Sequence, residues 1–235
     1  MTDGGPGRTG RVTHPRIRPR RGAARASTWW GKAWVRAAEE SAYGDGDLKA
    51  ARSLARAGSV GAITVTTGRY LAAVEDGDEL WSTGTTLPVL DEPERAAFVE
   101  AVAAESGRLP ALLAGELPHA LVEHAEEAGV ELVPYGEELA VTCTCGHWHA
   151  VCGHSLAVLH QLCWIVDRDA STLLHLRGAE RDELLASLRR GLRPDRRAGQ
   201  AAVDVAAPGE STRDQVDDVE IALDAVLRAR HLLEE

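Results

Sequence analysis

An α+β fold, with a small antiparallel β-meander, surrounding helices and a compact strand-loop-helix unit, is predicted by three features of the 235-residue chain. The stretch "SVGAITVTTGRYLAAVEDGDELWSTG", residues 59–84, alternates apolar and polar positions and turns at Thr67-Gly68 and Asp76-Gly77, as hairpins do. Segments on both sides carry helical start and stop signals. The third feature is "VTCTCGHWHAVCGHSLAVLH", residues 141–160, which holds three of the four cysteines and four of the nine histidines.

The elements follow in order. Residues 1–26 are rich in Gly, Pro and Arg without apolar periodicity and read as a disordered basic arm. Order begins at "STWWGKAWVRAAEESAYG", where Ser27 or Thr28 can cap a helix that places Trp30 and Trp34 on one face. Trp29 and Trp30 suit a core contact, with base stacking as the alternative. "GDLKAARSLARAG" is a short helix ended by Gly58. After the meander, Asp91 caps a helix with Pro93 in its first turn and Gly107 at its end, and a second helix runs from Pro118 to Gly129. "VELVPYGEELAVTCTC" reads as two short strands around Gly136. "SLAVLHQLCWIV" is a nearly all-apolar helix, and "GAERDELLASLRRGL" gives another. The α+β domain thus spans 27–190, followed by a Pro- and Ala-containing linker at 191–212. The final segment, 213–235, is an amphipathic helix with Val216, Val219, Leu223, Val226 and Leu227 near one face.

The net charge of −10 is unevenly placed: residues 1–36 carry nine Lys or Arg against Asp3 alone, leaving 17 bases against 35 acids beyond them. An acidic body argues against broad electrostatic binding to nucleic acid, whereas a basic arm can make a local phosphate contact through Arg16, Arg18, Arg20, Arg21 and Arg25. The plainer alternative is a solubilising tail. No apolar run approaches the roughly 18 residues of a membrane span, and the N-terminus lacks the apolar middle of a secretory signal. The chain is therefore expected in the cytoplasm, with no membrane partner. Its cysteines are crowded rather than dispersed as in a disulfide framework.

Cys143, Cys145, Cys152 and His154 form CxC, six intervening residues, then CxH. Three thiolates and an imidazole are the donors of closed tetrahedral zinc sites. In an extended strand, residues two apart point to one side, so Cys143 and Cys145 can converge on one ion where the strand ends. In a helix, residues two apart diverge by about 200°. Cys152 must therefore precede the helix while His154 occupies its first turn, with Gly153 permitting the bend. A thiolate there also gains from the positive helix N-terminus. Cys163 reads as core packing, and His160, turned away from the His154 face, as a surface or hydrogen-bonded histidine. Buried thiols and redox chemistry are the competing readings of the cluster.

The CxC-six-CxH array followed by "SLAVL" resembles a SWIM-type zinc finger at about 139–166. "TWWGKAW" at 28–34, "LLAGELP" at 112–118 and "LLHLRG" at 173–178 extend the similarity to bacterial SWIM zinc finger family proteins of actinobacterial type, over most of residues 28–190. The resemblance implies a zinc cofactor on Cys143, Cys145, Cys152 and His154. It also implies a link to DNA transactions alongside a Swi/Snf-type helicase. Two positions depart from the pattern. "GHWH" replaces a Pro-Asp type turn and adds His147 and His149, which can compete for the ion or bind a second one. Gly153 replaces a Lys that would meet phosphate.

The functional expectation is a non-enzymatic zinc adaptor for a protein partner, DNA or both, with Trp148 in the "GHWHAV" loop as the partner contact. Trp148 facing outward and Trp148 folded against the helix are both compatible with the sequence. The alternative is a thiol- or metal-dependent enzyme using the same cluster. No phosphate-gripping Walker loop and no serine nucleophile elbow is present. A third reading makes the C-terminal helix the recruiting element.

Overall fold

The computed structural model describes residues 10–21, 26–149 and 151–191. The chain divides into two compact units, 1–184 and 185–235. The described part of the first unit is α+β. Its five strands are β1 (Val12–His14), β2 (Ile63–Thr66), β3 (Arg69–Asp76), β4 (Glu79–Thr86) and β5 (Ala140–Cys143), joined antiparallel in the order β1-β2-β3-β4-β5. The helices are α1 (Trp29–Glu40), α2 (Asp45–Ala57), α3 (Glu92–Ala103), α4 (Arg108–Leu113), α5 (His119–Glu127), α6 (Gly153–Val166), α7 (Ser171–Leu176) and α8 (Arg181–Gly191), of which α8 begins in the first unit and runs into the second. No helix among the described residues is long and apolar enough to cross a membrane.

Strand alternation sends Ile63, Val65, Tyr70, Ala72, Val74, Thr83, Thr85 and Val141 to the buried face of the sheet. Against it lies α6, apolar all round as a helix buried on every side must be, packed also on α1 and α2. Three tryptophans fasten these layers. Trp34 donates its indole N–H to the Leu159 carbonyl at 3.3 Å, Trp30 to Val166 at 2.9 Å and Trp29 to Leu117 at 2.9 Å. All three make structural contacts; Trp30 and Trp34 are buried in the core and Trp29 is half-buried.

Several local signals hold. Thr28 caps α1 by accepting from the Gly31 N–H, Asp91 and Glu94 form a reciprocal capping box on α3, and Gly58 ends α2 in the left-handed conformation at φ 74°. Others are corrected. Part of the arm expected to be disordered is held: β1 pairs with β2, the Arg16 guanidinium grips both oxygens of Glu75 at 2.8 and 2.6 Å, and Arg20 lies over the Trp164 ring at 5.0 Å. Composition predicted disorder because it contains no partner for these arginines; the fold supplies one from β3 and one from α6.

The second hairpin loop is Gly77-Asp78, one residue later than predicted, because Asp76 still pairs with Glu79. α3 ends at Ala103 rather than Gly107, and a separate α4 follows. Only one strand forms near Gly136, since residues 136–138 make a 3-10 turn instead. There a Cβ on Gly136 would fall 2.7 Å from the Ala37 carbonyl, so the glycine lets this turn lie against α1. His160 is buried, its Nε2 without a hydrogen-bond partner among the described residues, and burial lowers its pKa. Helical periodicity placed it opposite His154, but α6 has no open side. Residues 192–212 of the predicted linker and the predicted helix 213–235 lie outside the described residues.

Candidate metal centre

Sheet register assembles one half of the site. Thr83 pairs with Cys143 and Val74 with Trp81, and cross-strand partners share a face. Asp76, two residues beyond Val74, and Trp81, two before Thr83, share that face by strand alternation. Asp76, Trp81 and Cys143 therefore gather on the helix-covered face at the end of the sheet marked by the β3-β4 hairpin. The chain then leaves β5 through Cys145 and Gly146, whose φ of 67° makes the turn away from the sheet.

The start of α6 supplies the other half. Cys152 is the N-cap, extended at φ −116° and ψ 174°, and His154 lies in the first turn, the division between loop and helix that the CxH spacing requires. Gly153, however, is not needed for a bend, since its φ is not positive. A Cβ there would sit 3.1 Å from the Ala50 side chain, so the glycine lets α6 approach α2 closely.

The sulfurs of Cys143, Cys145 and Cys152 and a ring nitrogen of His154 all lie within 4.8 Å of one another and can hold a metal ion. Cys145 Sγ is 3.6 Å from Cys152 Sγ, while His154 Nδ1 is 4.0 Å from Cys143 Sγ and 3.9 Å from Cys152 Sγ. A tetrahedron with metal–sulfur bonds of about 2.3 Å has sulfur–sulfur edges of about 3.8 Å. The Cys145–Cys152 edge, at 3.6 Å, is of that size, and with all four donors within 4.8 Å of one another the set could hold a metal ion.

The thiols are not equivalent. Burial, opposed by the Cys145 backbone N–H, pushes Cys143 up to about 12. Burial acts the same way on Cys152, but the Ser155 backbone N–H and hydroxyl and the neighbouring thiols outweigh it, leaving Cys152 below its ordinary value. Cys152 also stands at the N-terminal end of α6, where a negative charge is favoured.

Beyond the donors, the other ring nitrogen of His154 faces the Asp76 carboxylate at 3.2 Å, and the Trp81 ring stacks on the imidazole with centroids 5.8 Å apart. Neither residue stood out in the sequence. Their signal was present only indirectly, in a hairpin whose register could be counted.

The remaining predicted site residues separate from the donors. His147 and His149 are outside the donor group, with His147 Nδ1 accepting from the His149 backbone N–H at 3.3 Å. Trp148 is 75% exposed and lies edge-on to Tyr43, itself 70% exposed, at 5.2 Å. It faces outward to solvent. Cys163 is buried, as predicted. Arg18 and Arg21 are exposed, Arg16 and Arg20 are engaged as described, and Arg25 lies outside the described residues.

No protein-family model matches the chain, and no solved structure does. A similar protein is uncharacterized protein Rv2102 of Mycobacterium tuberculosis (strain ATCC 25618 / H37Rv), 29% identical over 203 residues, which are 86% of this chain and 69% of that protein.

Proposed function

We propose that the chain is a non-enzymatic adaptor stabilised by one zinc ion on Cys143, Cys145, Cys152 and His154. The observation that carries this reading is the donor geometry: three sulfurs and one imidazole nitrogen lie within 4.8 Å of one another, a donor set that suits a closed four-coordinate site. Such a shell leaves no position for a substrate or an activated water, which disfavours a metal-dependent enzyme. Zinc is favoured because soft thiolates with an imidazole suit it better than calcium or magnesium. Its role is to tie the end of β5 to the start of α6.

What the adaptor offers a partner is the aromatic pair Trp148 and Tyr43 beside that corner. The partner is a protein, and the SWIM resemblance adds a Swi/Snf-type helicase as its class. DNA contact falls to Arg18 and Arg21, because Arg16 and Arg20 are already engaged with Glu75 and Trp164.

Metal analysis of the purified full chain tests the core of the reading. One zinc per chain is expected, with three thiols protected from alkylation until a chelator is added. Freely alkylated thiols without zinc would refute it. For DNA, Arg18→Glu with Arg21→Glu is cleaner than deleting residues 1–26, which would also strip β1 from the sheet edge. If the arm binds phosphate, the double variant flattens the salt dependence of DNA binding.

A further inference from the structure

We infer that His154 binds the metal through Nδ1 and that Asp76 and Trp81 are its positioning residues, making the β3-β4 hairpin part of the metal centre. This rests on the zinc reading above and extends it to residues 78 and 73 positions away in sequence. Nδ1 is the nitrogen turned to the sulfurs of Cys143 and Cys152, at 4.0 and 3.9 Å. Nε2 is turned to Asp76 Oδ2 at 3.2 Å. An imidazole that ligates through one nitrogen must carry its proton on the other, and a carboxylate facing that nitrogen accepts the proton's hydrogen bond. It thereby fixes the tautomer and ring orientation and makes the ligating nitrogen a stronger donor.

Trp81 restricts the remaining freedom. Its ring lies beside the imidazole, 30° from parallel with centroids 5.8 Å apart, and limits the space into which the histidine can turn on that side. The histidine side chain is only 15% exposed, whereas the Asp76 carboxylate is 55% exposed. Asp76 can therefore be changed with little disturbance to the core. The hairpin and the helix belong to distant parts of the chain, and this contact is how the sheet sets the angle at which the imidazole meets the ion.

The test is zinc affinity of the full chain, measured by competition with a chromophoric chelator, for wild type, Asp76→Ala, Asp76→Asn and Glu79→Ala. Asp76→Ala is expected to weaken zinc binding about 10- to 100-fold, as loss of such an outer partner does. Asp76→Asn should lose less, because its amide oxygen can still accept from Nε2. Glu79→Ala removes a carboxylate from the same turn without touching His154 and should stay within about twofold of wild type. Long-range nitrogen-15 correlation of His154 should show a protonated Nε2 in the zinc-loaded protein, and far-UV circular dichroism checks that each variant is folded. Asp76→Ala equal to wild type, Glu79→Ala as weak as Asp76→Ala, or a metal-bound Nε2 would each overturn the inference while leaving the zinc reading intact. A wild type that holds no zinc would end both.

Discussion

The two ends of α6 carry a cysteine each and use it in opposite ways. At the N-terminal end, Cys152 faces two further sulfurs and an imidazole, and its thiol is held below its ordinary value. Toward the C-terminal end, Cys163 is shut in the core, donates to the Gly31 carbonyl at 3.4 Å, and is pushed by burial up to about 12. There the helix is anchored by polar groups instead. Asp167 accepts from the backbone N–H groups and hydroxyls of Ser27 and Thr28, and Trp30 from α1 donates to Val166. The residue type and the helix are shared; what differs is the company. A thiol becomes a metal donor where other donors converge on it, and filler where carbon surrounds it.

Breaking the N-terminal end should have the largest effect. Cys152→Ser is expected to abolish stoichiometric zinc and lower the melting temperature by as much as chelator lowers that of the wild type, since the binding energy of a structural zinc is on the order of 10 kcal/mol. Melting both proteins with and without chelator checks this: the variant should no longer respond to the chelator.

Next comes the C-terminal anchor. Asp167→Ala leaves the Ser27 and Thr28 donors without their carboxylate and should destabilise by about 1.5–3 kcal/mol with zinc content unchanged. The pH dependence has a definite sign. Although burial opposes it, hydrogen bonds from Thr28 and Ser27 lower the Asp167 pKa. Its contribution is therefore complete above the ordinary aspartate value of about 4 and lost as the pH falls through the lowered one. Denaturant melts from neutral to acid pH should show the gap between wild type and Asp167→Ala closing only at the acid end.

Cys163→Ala tests the comparison most directly. Deleting one buried sulfur should cost about 1–2 kcal/mol by cavity formation, with one zinc per chain retained. Loss of zinc from this variant would dissolve the distinction between the two cysteines. Smallest in stability is Trp148→Ala, within about 0.5 kcal/mol because the side chain is mostly exposed. Any loss it causes in capture of the proposed protein partner would then be a contact effect.

How much of this could be read from the chain follows the range of each interaction. The CxC and CxH pairs, a cap at Ser27 or Thr28 and the Asp91 cap are local, with partners two or three residues away, and all were legible; the Glu94 half of the Asp91 capping box came from the structure. The hairpins and the all-apolar α6 were legible for the same reason. Asp76 and Trp81 were not, because their meeting with His154 depends on strand register and on where α6 crosses the sheet. Arg16 was misjudged because Glu75 lies 59 residues away. His160 is the instructive error. An all-apolar helix is covered on every side, so a histidine within it has no surface to reach, whatever its angle to His154.

Gly153 carries one more consequence. It contributes no donor and no charge, yet a methyl group there would press on Ala50 and force the neighbour to give by a few tenths of an ångström. Cys143 and Cys145 belong to the sheet side of the corner, whereas Cys152 and His154 travel with α6. The closeness of α2 and α6 thus helps set where Cys152 and His154 stand relative to Cys143 and Cys145, and Ala50, with no coordinating chemistry of its own, borders the placement of a donor group that could hold a metal ion.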